Sequence, residues 1–320
     1  MPKGLYVGVD VGGTKIAAAL VDGKGRILLR DKTATPRDGK PKGVLKAISV
    51  LVKGLLNEGG LRRKDLLGVG AGVPGIVDGE GRMLAAPNVA LAGVRVGREL
   101  EKALGADAVV GNDVNLGVLG EQWLGAARGH ENVVGIFPGT GVGGGVIVGG
   151  ELLLGTHGAA AELGHIVVDP EGPVCGCGIR GCLEALASRT AIEKDIRRAL
   201  RRGERSLIRD WLGKAPKVIK SKVLAKALKR KDPVVMHAFH QAAQALGLAC
   251  VSLRHVFDPE LFVFGGGLVE ACGQHLLPAV QDALDEDPLF KKVSSCEAVP
   301  SELGDDAVIL GAVALAKRTL

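Results

Sequence analysis

The chain has 320 residues, of which 47% are hydrophobic, and it carries a formal charge of +6 and six cysteines. That length and apolar content support about two globular domains with a large core and argue against a disordered chain. Aromatic residues at 3% exclude a base-stacking surface for single-stranded nucleic acid, and six cysteines spread over this length do not make a disulfide scaffold. Met1 to Tyr6 lacks the charged-then-apolar pattern of a signal peptide, and no uninterrupted apolar run approaches the ~20 residues that span a bilayer. The expectation is therefore a cytoplasmic protein without a membrane partner.

In chain order, Leu5 to Asp10 reads as a buried strand. The glycine turn Val11-Gly12-Gly13-Thr14-Lys15 follows, then a second strand from Ile16 to Val21. Asp22-Gly23-Lys24-Gly25 is a hairpin turn, and a third strand over Arg26 to Lys32 completes a meander. Gly43 to Glu58 has helical spacing, with Val44, Ile48, Leu51, Val52 and Leu55 on one face. Leu67 to Val73 is a strand ending at Pro74-Gly75.

The opening pattern then recurs. Val133 to Phe137 is a strand, Pro138 to Gly144 a glycine turn, and Gly145 to Val148 a returning strand. Strand, glycine turn and strand thus occur twice, which suggests two related domains. Residues 189–231 hold sixteen Lys/Arg against four acids. Solvated helix faces are the first reading of such a run, and a polyanion-binding patch the second. Gln241 to Phe257 reads as a buried helix, and Leu261 to Phe264 as a strand ending at Gly265-Gly266-Gly267. Asp305-Asp306 are placed to cap a last helix, Ala307 to Lys317.

Three of the six cysteines fall within eight residues, Cys175, Cys177 and Cys182, with His165 just upstream. One histidine and three cysteines are the donor set of a closed structural zinc site. Reduced, metal-free thiols are the alternative, and a Cys175–Cys177 disulfide would be strained. Cys250, Cys272 and Cys296 are isolated and read as small buried hydrophobes. His130, His157, His237, His240, His255 and His275 match no motif. Two carboxylates, Glu162 and Glu184, bracket the cluster, and zinc does not require them.

Gly139-x-Gly141-x-x-Gly144 formally matches a dinucleotide fingerprint, but that fingerprint needs a helix after the glycines and here a strand follows. No Gly-x4-Gly-Lys-[Ser/Thr] is present. Either glycine loop alone reads equally well as an ordinary tight hairpin. Two in equivalent positions, plus the glycines after a third strand, point to nucleotide binding through exposed backbone N–H groups. Thr14 and Thr140 add hydroxyl donors, Lys15 adds a charge, and Asp10 could hold Mg²⁺ through water.

These residues resemble the ROK family (repressors, open reading frames and kinases), and within it the bacterial ATP-dependent glucokinases. The resemblance covers nearly the whole chain. It is carried by Asp10-Val-Gly-Gly-Thr-Lys15, Gly72-Val-Pro-Gly-Ile-Val-Asp78, Pro87-Asn88, Gly111-Asn-Asp-Val-Asn115 and Gly139-Thr-Gly-Val-Gly-Gly-Gly145. Glu162-Leu-Gly-His165, the cysteine cluster with Glu184, and Gly265-Gly-Gly267 complete it, and the cluster pair is the most specific part. The resemblance implies an α/β actin-like ATPase (ribonuclease H-like) fold of two domains with a central cleft and a zinc-binding loop. The expected division is 1–112 plus 306–320 against 113–305, with the C-terminal helix returning to the first domain.

The resemblance also implies an ATP- and Mg²⁺-dependent kinase acting on the primary hydroxyl of a hexose, glucose in the first instance. Asp113 becomes its general base, although the residues alone read Asn112 or Asp113 first as a helix N-cap. Gly72, Asn88, Asn112, Asp113, Glu162, His165 and Glu184 become hexose ligands. Asp10, Gly12, Gly13, Thr14, Lys15, Gly139, Thr140, Gly141, Gly143, Gly265 and Gly266 become the donor-nucleotide site. His165, Cys175, Cys177 and Cys182 become the ligands of structural Zn²⁺. Members often carry an aromatic residue shortly after the Pro-Asn pair, whereas Val89 to Val94 here contains none. This bears on sugar identity more than on reaction type, and N-acetylmannosamine, N-acetylglucosamine, mannose or fructose are the alternative substrates. Polyphosphate is an alternative donor, though its users in the family usually lack the zinc cluster. A sugar-responsive regulator is the rival class, but family repressors carry an N-terminal helix-turn-helix and this chain is expected to start its first strand at Leu5. A homodimer or homotetramer is expected, and nucleic acid is not an expected partner.

Overall fold

The computed structural model describes residues 4–320. The chain opens with an antiparallel meander of β1 (Leu5–Val11), β2 (Lys15–Asp22) and β3 (Ile27–Ala34), in which Leu5 faces Asp22 and Val11 faces Ile16. The hairpin turn is fixed by Asp22, whose buried carboxylate accepts from the backbone N–H of Lys24 and Arg26 and from Arg26 Nε. Helix α1 (Pro41–Glu58) starts on a proline whose φ is already helical. It buries Val44, Ile48, Leu51, Val52 and Leu55 against the meander. β4 (Leu66–Val73) then runs parallel to β1. The small hairpin β5 (Ile76–Val77) and β6 (Met83–Ala85), helix α2 (Val96–Leu104), strand β7 (Ala108–Asn112) and helix α3 (Asp113–Leu124) follow. The sheet order is β3-β2-β1-β4-β7.

The pattern is then repeated. β8 (Val133–Pro138), β9 (Val142–Val148) and β10 (Glu151–Leu152) form the second meander. The helices α4 (Leu183–Ala187), α5 (Arg189–Arg201), α6 (Leu207–Leu212), α7 (Ser221–Lys229) and α8 (Pro233–Phe257) precede β11 (Leu261–Phe264). After α9 (Gly267–Cys272) and α10 (Leu277–Asp285) comes β12 (Glu297–Pro300), and α11 (Ala307–Thr319) ends the chain. The second sheet has the order β10-β9-β8-β11-β12, which is the order of the first sheet strand for strand. The repeat expected from the glycine turns is therefore a repeat of whole sheets.

By internal contacts the chain forms two compact units: residues 1–129, 145–161 and 305–320 in the first, and 130–144 and 162–304 in the second. In the first unit α11 packs on β1, β4, β7 and α3. Glycine makes this possible: a Cβ at Gly70 would sit on the carbonyl oxygen of Ala312, and one at Gly311 on that of Leu116. Asp305 and Asp306 do not cap α11 through their side chains as expected. They pair instead with Lys15 at 3.8 Å and with Arg30 at 3.1 Å.

In the second unit α8 packs against α4, α5 and α10. It begins at Pro233, ahead of the expected Gln241, because Asp232 caps it by accepting from Val235 N at 3.0 Å. Among the described residues it is the one helix long and apolar enough to cross a membrane, and more than half of that stretch is buried. The basic run forms α5 to α7 with apolar faces inward: Ile192, Ile196, Leu200, Ile208, Leu224 and Leu228 are buried. Several of its cations are paired, Arg198 with Asp195 and Arg202 with Glu204, and Lys226 and Arg230 lie over the Trp211 ring.

Candidate active site

The first unit gathers polar residues at the carboxyl ends of its parallel strands, the position where open α/β sheets bind ligands. Asp10 lies opposite Gly72, and Gly72 opposite Gly111, so register alone brings β1, β4 and the β7–α3 junction together. Gly72 is required there, because a side chain would run into Val308. Asn112 is the N-cap of α3: its Oδ1 accepts from Asn115 N at 2.9 Å, and its Nδ2 donates to Gly75 O at 3.0 Å. One N–H of its amide is left for a ligand. The cap falling on Asn112 makes Asp113 the first helical residue, with Oδ1 accepting from Val114 N at 2.9 Å.

Asp10 and Asp113 feel each other. Burial first, then the Asp113 charge, push the Asp10 carboxyl up to about 6, and Lys15 opposes the rise. The glycine turn beside Asp10 is clamped from below. Gly12 N donates to Lys15 O at 2.9 Å, and buried Thr35 donates its hydroxyl to Gly12 O at 2.6 Å and its N–H to Thr14 O at 3.1 Å. Thr35 lies just past β3 and no motif marks it. Gly13 lets the Pro87-Asn88 loop approach, since a Cβ there would lie 3.3 Å from Asn88 O. Asn88 itself is exposed.

The second unit holds the cysteine cluster. One ligand atom each from His165, Cys175, Cys177 and Cys182 lies within 4.8 Å of the others. Cys175 Sγ is 3.7 Å from His165 Nδ1, and Cys177 Sγ is 3.7 Å from Cys182 Sγ. With Zn–S bonds of about 2.3 Å, two sulfurs on a tetrahedral ion stand roughly 3.8 Å apart. The donor set and its spacing therefore fit zinc. Two turns shape it: Cys175 N donates to Ile179 O at 2.8 Å, and Gly181 has a φ of +76° where a Cβ would strike Asp169 O. Burial pushes the Cys182 thiol up to about 12, so a thiolate there needs a cation beside it. His165 turns Nδ1 to the cluster, which leaves Nε2 on the outer edge of the ring.

Glu184, in the first turn of α4, joins this cluster to the second glycine loop. Its Oε2 accepts from Val142 N at 3.1 Å and fills the space that a side chain at Gly141 would take. Its Oε1 is 3.5 Å from Cys175 Sγ. Glu162 is exposed and precedes the single 3₁₀ turn Leu163–His165. Loop 139–141 closes with Gly139 N donating to Gly141 O at 2.8 Å. Gly143 falls inside β9 rather than in the turn, because the strand begins at Val142. Gly265 and Gly266 stand beside the root of this loop, as β11 is parallel to β8 with Phe264 opposite Ile136. A Cβ at Gly265 would lie 2.8 Å from the Phe137 ring. Gly266, at a φ of +81°, leads directly into α9.

The ROK family's sequence profile matches residues 6–319. The chain belongs to the ROK family. It is similar to a glucokinase of Thermotoga maritima, 36% identical over all of this chain and 99% of that one. Among solved structures it is similar to a ROK family glucokinase from Streptomyces griseus in complex with glucose and AMPPNP. That match has a TM-score of 0.83 and 35% identity, and covers 98% of this chain and all of that one. It is also similar to a ROK hexokinase from Thermus thermophilus, with a TM-score of 0.80, 34% identity and 98% and 97% of the two chains covered. The α/β fold is thus of the actin-like ATPase type, as the resemblance implied. In this ROK chain Asp10, Gly72, Asn112 and Asp113 come together within the first unit. The cysteine cluster, Glu184 and the later glycines come together within the second. Thr35, Arg189 and Glu193 take part in holding the loops and were not expected from motifs.

Proposed function

We propose that this ROK chain transfers the γ-phosphoryl group of ATP to the primary hydroxyl of a hexose, with glucose the preferred substrate. The observation that carries this reading is the strand register that sets Asp113 beside Asp10 and Gly72 at the carboxyl ends of β1, β4 and β7. The similarity to glucokinases, one of them in complex with glucose and AMPPNP, supports both the sugar and the nucleotide.

In this reading Asp113 takes the proton of the attacking hydroxyl, which raises the nucleophilicity of that oxygen as the phosphoryl group transfers. Asn112 donates its free amide N–H to a middle hydroxyl, and Asn88 serves another. Glu162, Glu184 and His165 Nε2 accept or donate at the anomeric end. The glycine turn at Gly12, Gly13 and Thr14, with Lys15, and the loop at Gly139, Thr140 and Gly141, with Gly265 and Gly266, bind the nucleotide. Backbone N–H groups there supply donors for phosphate oxygens. Asp10 is the residue that would hold Mg²⁺ through water, and the ion would neutralise charge on the transferring group. His165, Cys175, Cys177 and Cys182 would hold a structural Zn²⁺ that keeps the hexose-binding loop in shape.

An ADP-release assay over a panel of hexoses tests the proposal, and glucose is expected to give the highest kcat/KM. Absence of turnover with every hexose, in protein shown to be folded, refutes it. Asp113→Asn is expected to lower kcat by about 10²–10⁴-fold while hexose binding by calorimetry persists. Retained turnover would assign the base to another residue.

A further inference from the structure

The second unit contains a clamp on the 139–141 loop that the proposed chemistry does not account for. Helix α5 starts at Arg189 and is capped independently of it, since Ser188 Oγ accepts from Ala191 N at 3.1 Å. Arg189 N donates to Gly139 O at 2.9 Å, and Thr190 Oγ1 donates to Thr140 O at 2.6 Å. Two carbonyl oxygens that would repel an anion are thereby occupied on the α5 side. The Arg189 guanidinium then forks: one nitrogen donates to Glu193 at 2.7 Å, the other to Thr140 Oγ1 at 3.0 Å. Glu193 is buried and shared with Arg197, so the trio carries two positive charges against one negative.

The consequence falls on the Thr140 hydroxyl. A threonine oxygen has two lone pairs and one proton, and a guanidinium has no acceptor. With Arg189 donating into one lone pair, the Thr140 proton cannot turn back toward α5 and must point away from it. Thr140 is exposed, so its O–H is left as an outward donor. A free threonine rotor would instead divide its time between donating and accepting toward an incoming phosphate.

We propose that Arg189 is a positioning residue for the phosphoryl donor: it orients the Thr140 hydroxyl as a hydrogen-bond donor to the nucleotide's phosphate oxygens. This rests on the reading of residues 139–141 as a phosphate loop. Arg189→Ala leaves Glu193 paired with Arg197 and leaves the Ser188 cap intact, so the unit keeps its fold.

The experiment compares wild type, Arg189→Ala, Arg189→Lys, Thr140→Val and the Arg189→Ala/Thr140→Val double variant, with ATP and the wild type's best hexose. A charge-assisted hydrogen bond predicts a rise of about tenfold or more in KM for ATP in Arg189→Ala, with the hexose KM within about twofold of wild type. Arg189→Lys is expected to recover part of the loss. Because Arg189 acts through Thr140, the double variant should be no more than about twofold worse than Thr140→Val alone. Equal rises in both KM values, or losses that multiply in the double variant, would overturn the proposal. If Arg189→Ala does not fold, the Lys variant and the Thr140→Val/Arg189→Lys pair decide on the same criteria. Wild type without turnover on any hexose counts against the kinase reading alone. Calorimetric AMPPNP binding then decides the role of Arg189: binding about tenfold weaker or more in the variant supports it, and equal binding, or no binding by wild type, refutes it.

Discussion

Among the described carboxylates Asp10 is the one whose ionisation the fold resists most clearly, and Asp10→Asn exposes what that resistance costs. Burial and the neighbouring Asp113 raise its carboxyl from an ordinary 3.8 to about 6. Between those two values the native state holds a proton that the unfolded chain releases. Stability therefore falls as pH rises through this window, and the whole cost is present above it. A shift of about two units corresponds to about 3 kcal/mol, of which about half has accrued by pH 5. Removing the charge should stabilise the first unit by up to about 3 kcal/mol at pH 8, which for a unit of this size is roughly 6–12 °C in melting temperature. The assay is thermal unfolding followed by circular dichroism, for wild type and Asp10→Asn at pH 4, 5, 6 and 8, with chelator present and no nucleotide. The gap should be a few tenths of a kcal/mol at pH 4 and grow with pH. A constant gap, or a wild type that is the more stable protein at pH 8, would refute the reasoning. The same variant should lose turnover, since a group strained into its charged form marks a working position rather than a structural one.

Metal analysis of freshly purified protein should find about one zinc per chain, and chelation should weaken hexose binding before the far-ultraviolet circular dichroism changes; metal-free protein with full hexose affinity would undo the zinc assignment. Gly70→Ala should destabilise the first unit by about 1–3 kcal/mol or more, because its Cβ meets the backbone oxygen of Ala312 and α11 must shift. Gly54→Ala, at an exposed position of α1 with nothing within 4 Å of the new Cβ, should instead stabilise by about 0.5–1 kcal/mol. Chemical denaturation of the two variants side by side reads both signs.

Strands β1, β2, β8 and β11 were legible because each is a short apolar run bounded by glycine or proline, and α1 because its period is unmistakable. The span from Ile76 to Leu104 was not read as structure. Its hairpin strands are two and three residues long, too short for a period to register. Helix α2 does carry Val96, Leu100 and Leu104 at helical spacing, but charged residues dilute the pattern over only nine residues. The start of α8 was missed although Asp232-Pro233 is a cap followed by an N1 proline and Val234, Val235, Ala238 and Phe239 extend its buried face, with His237 and His240 on the exposed side. At the site, motifs located the glycine loops and the residues of the Cys/His cluster. What braces them was invisible, because Thr35, Arg189 and Glu193 act on loops that are remote in sequence. Thr35 reaches Gly12 across 23 positions, and Arg189 reaches Thr140 across 49.

Glu184 changes how the acids beside the cysteine cluster are understood. A carboxylate has about four acceptor positions. Oε2 spends one on Val142 N, at the far end of the second glycine loop, while Oε1 lies against Cys175. Five residues later Arg189 grips the near end of the same loop at Thr140. The segment from Glu184 to Thr190 therefore touches the cysteine cluster and the Val142 side of the glycine loop at one end, and Thr140 at the other. Gly141 is fixed by this arrangement: only a residue without a side chain leaves room for the Glu184 carboxylate against the loop backbone. A metal seated on Cys175 and Cys182 would thus hold more than the loop proposed to bind the hexose. It would set the start of the helical segment on which the loop proposed to hold the phosphates is hung, so the proposed acceptor and donor ends of the second unit would share one structural support.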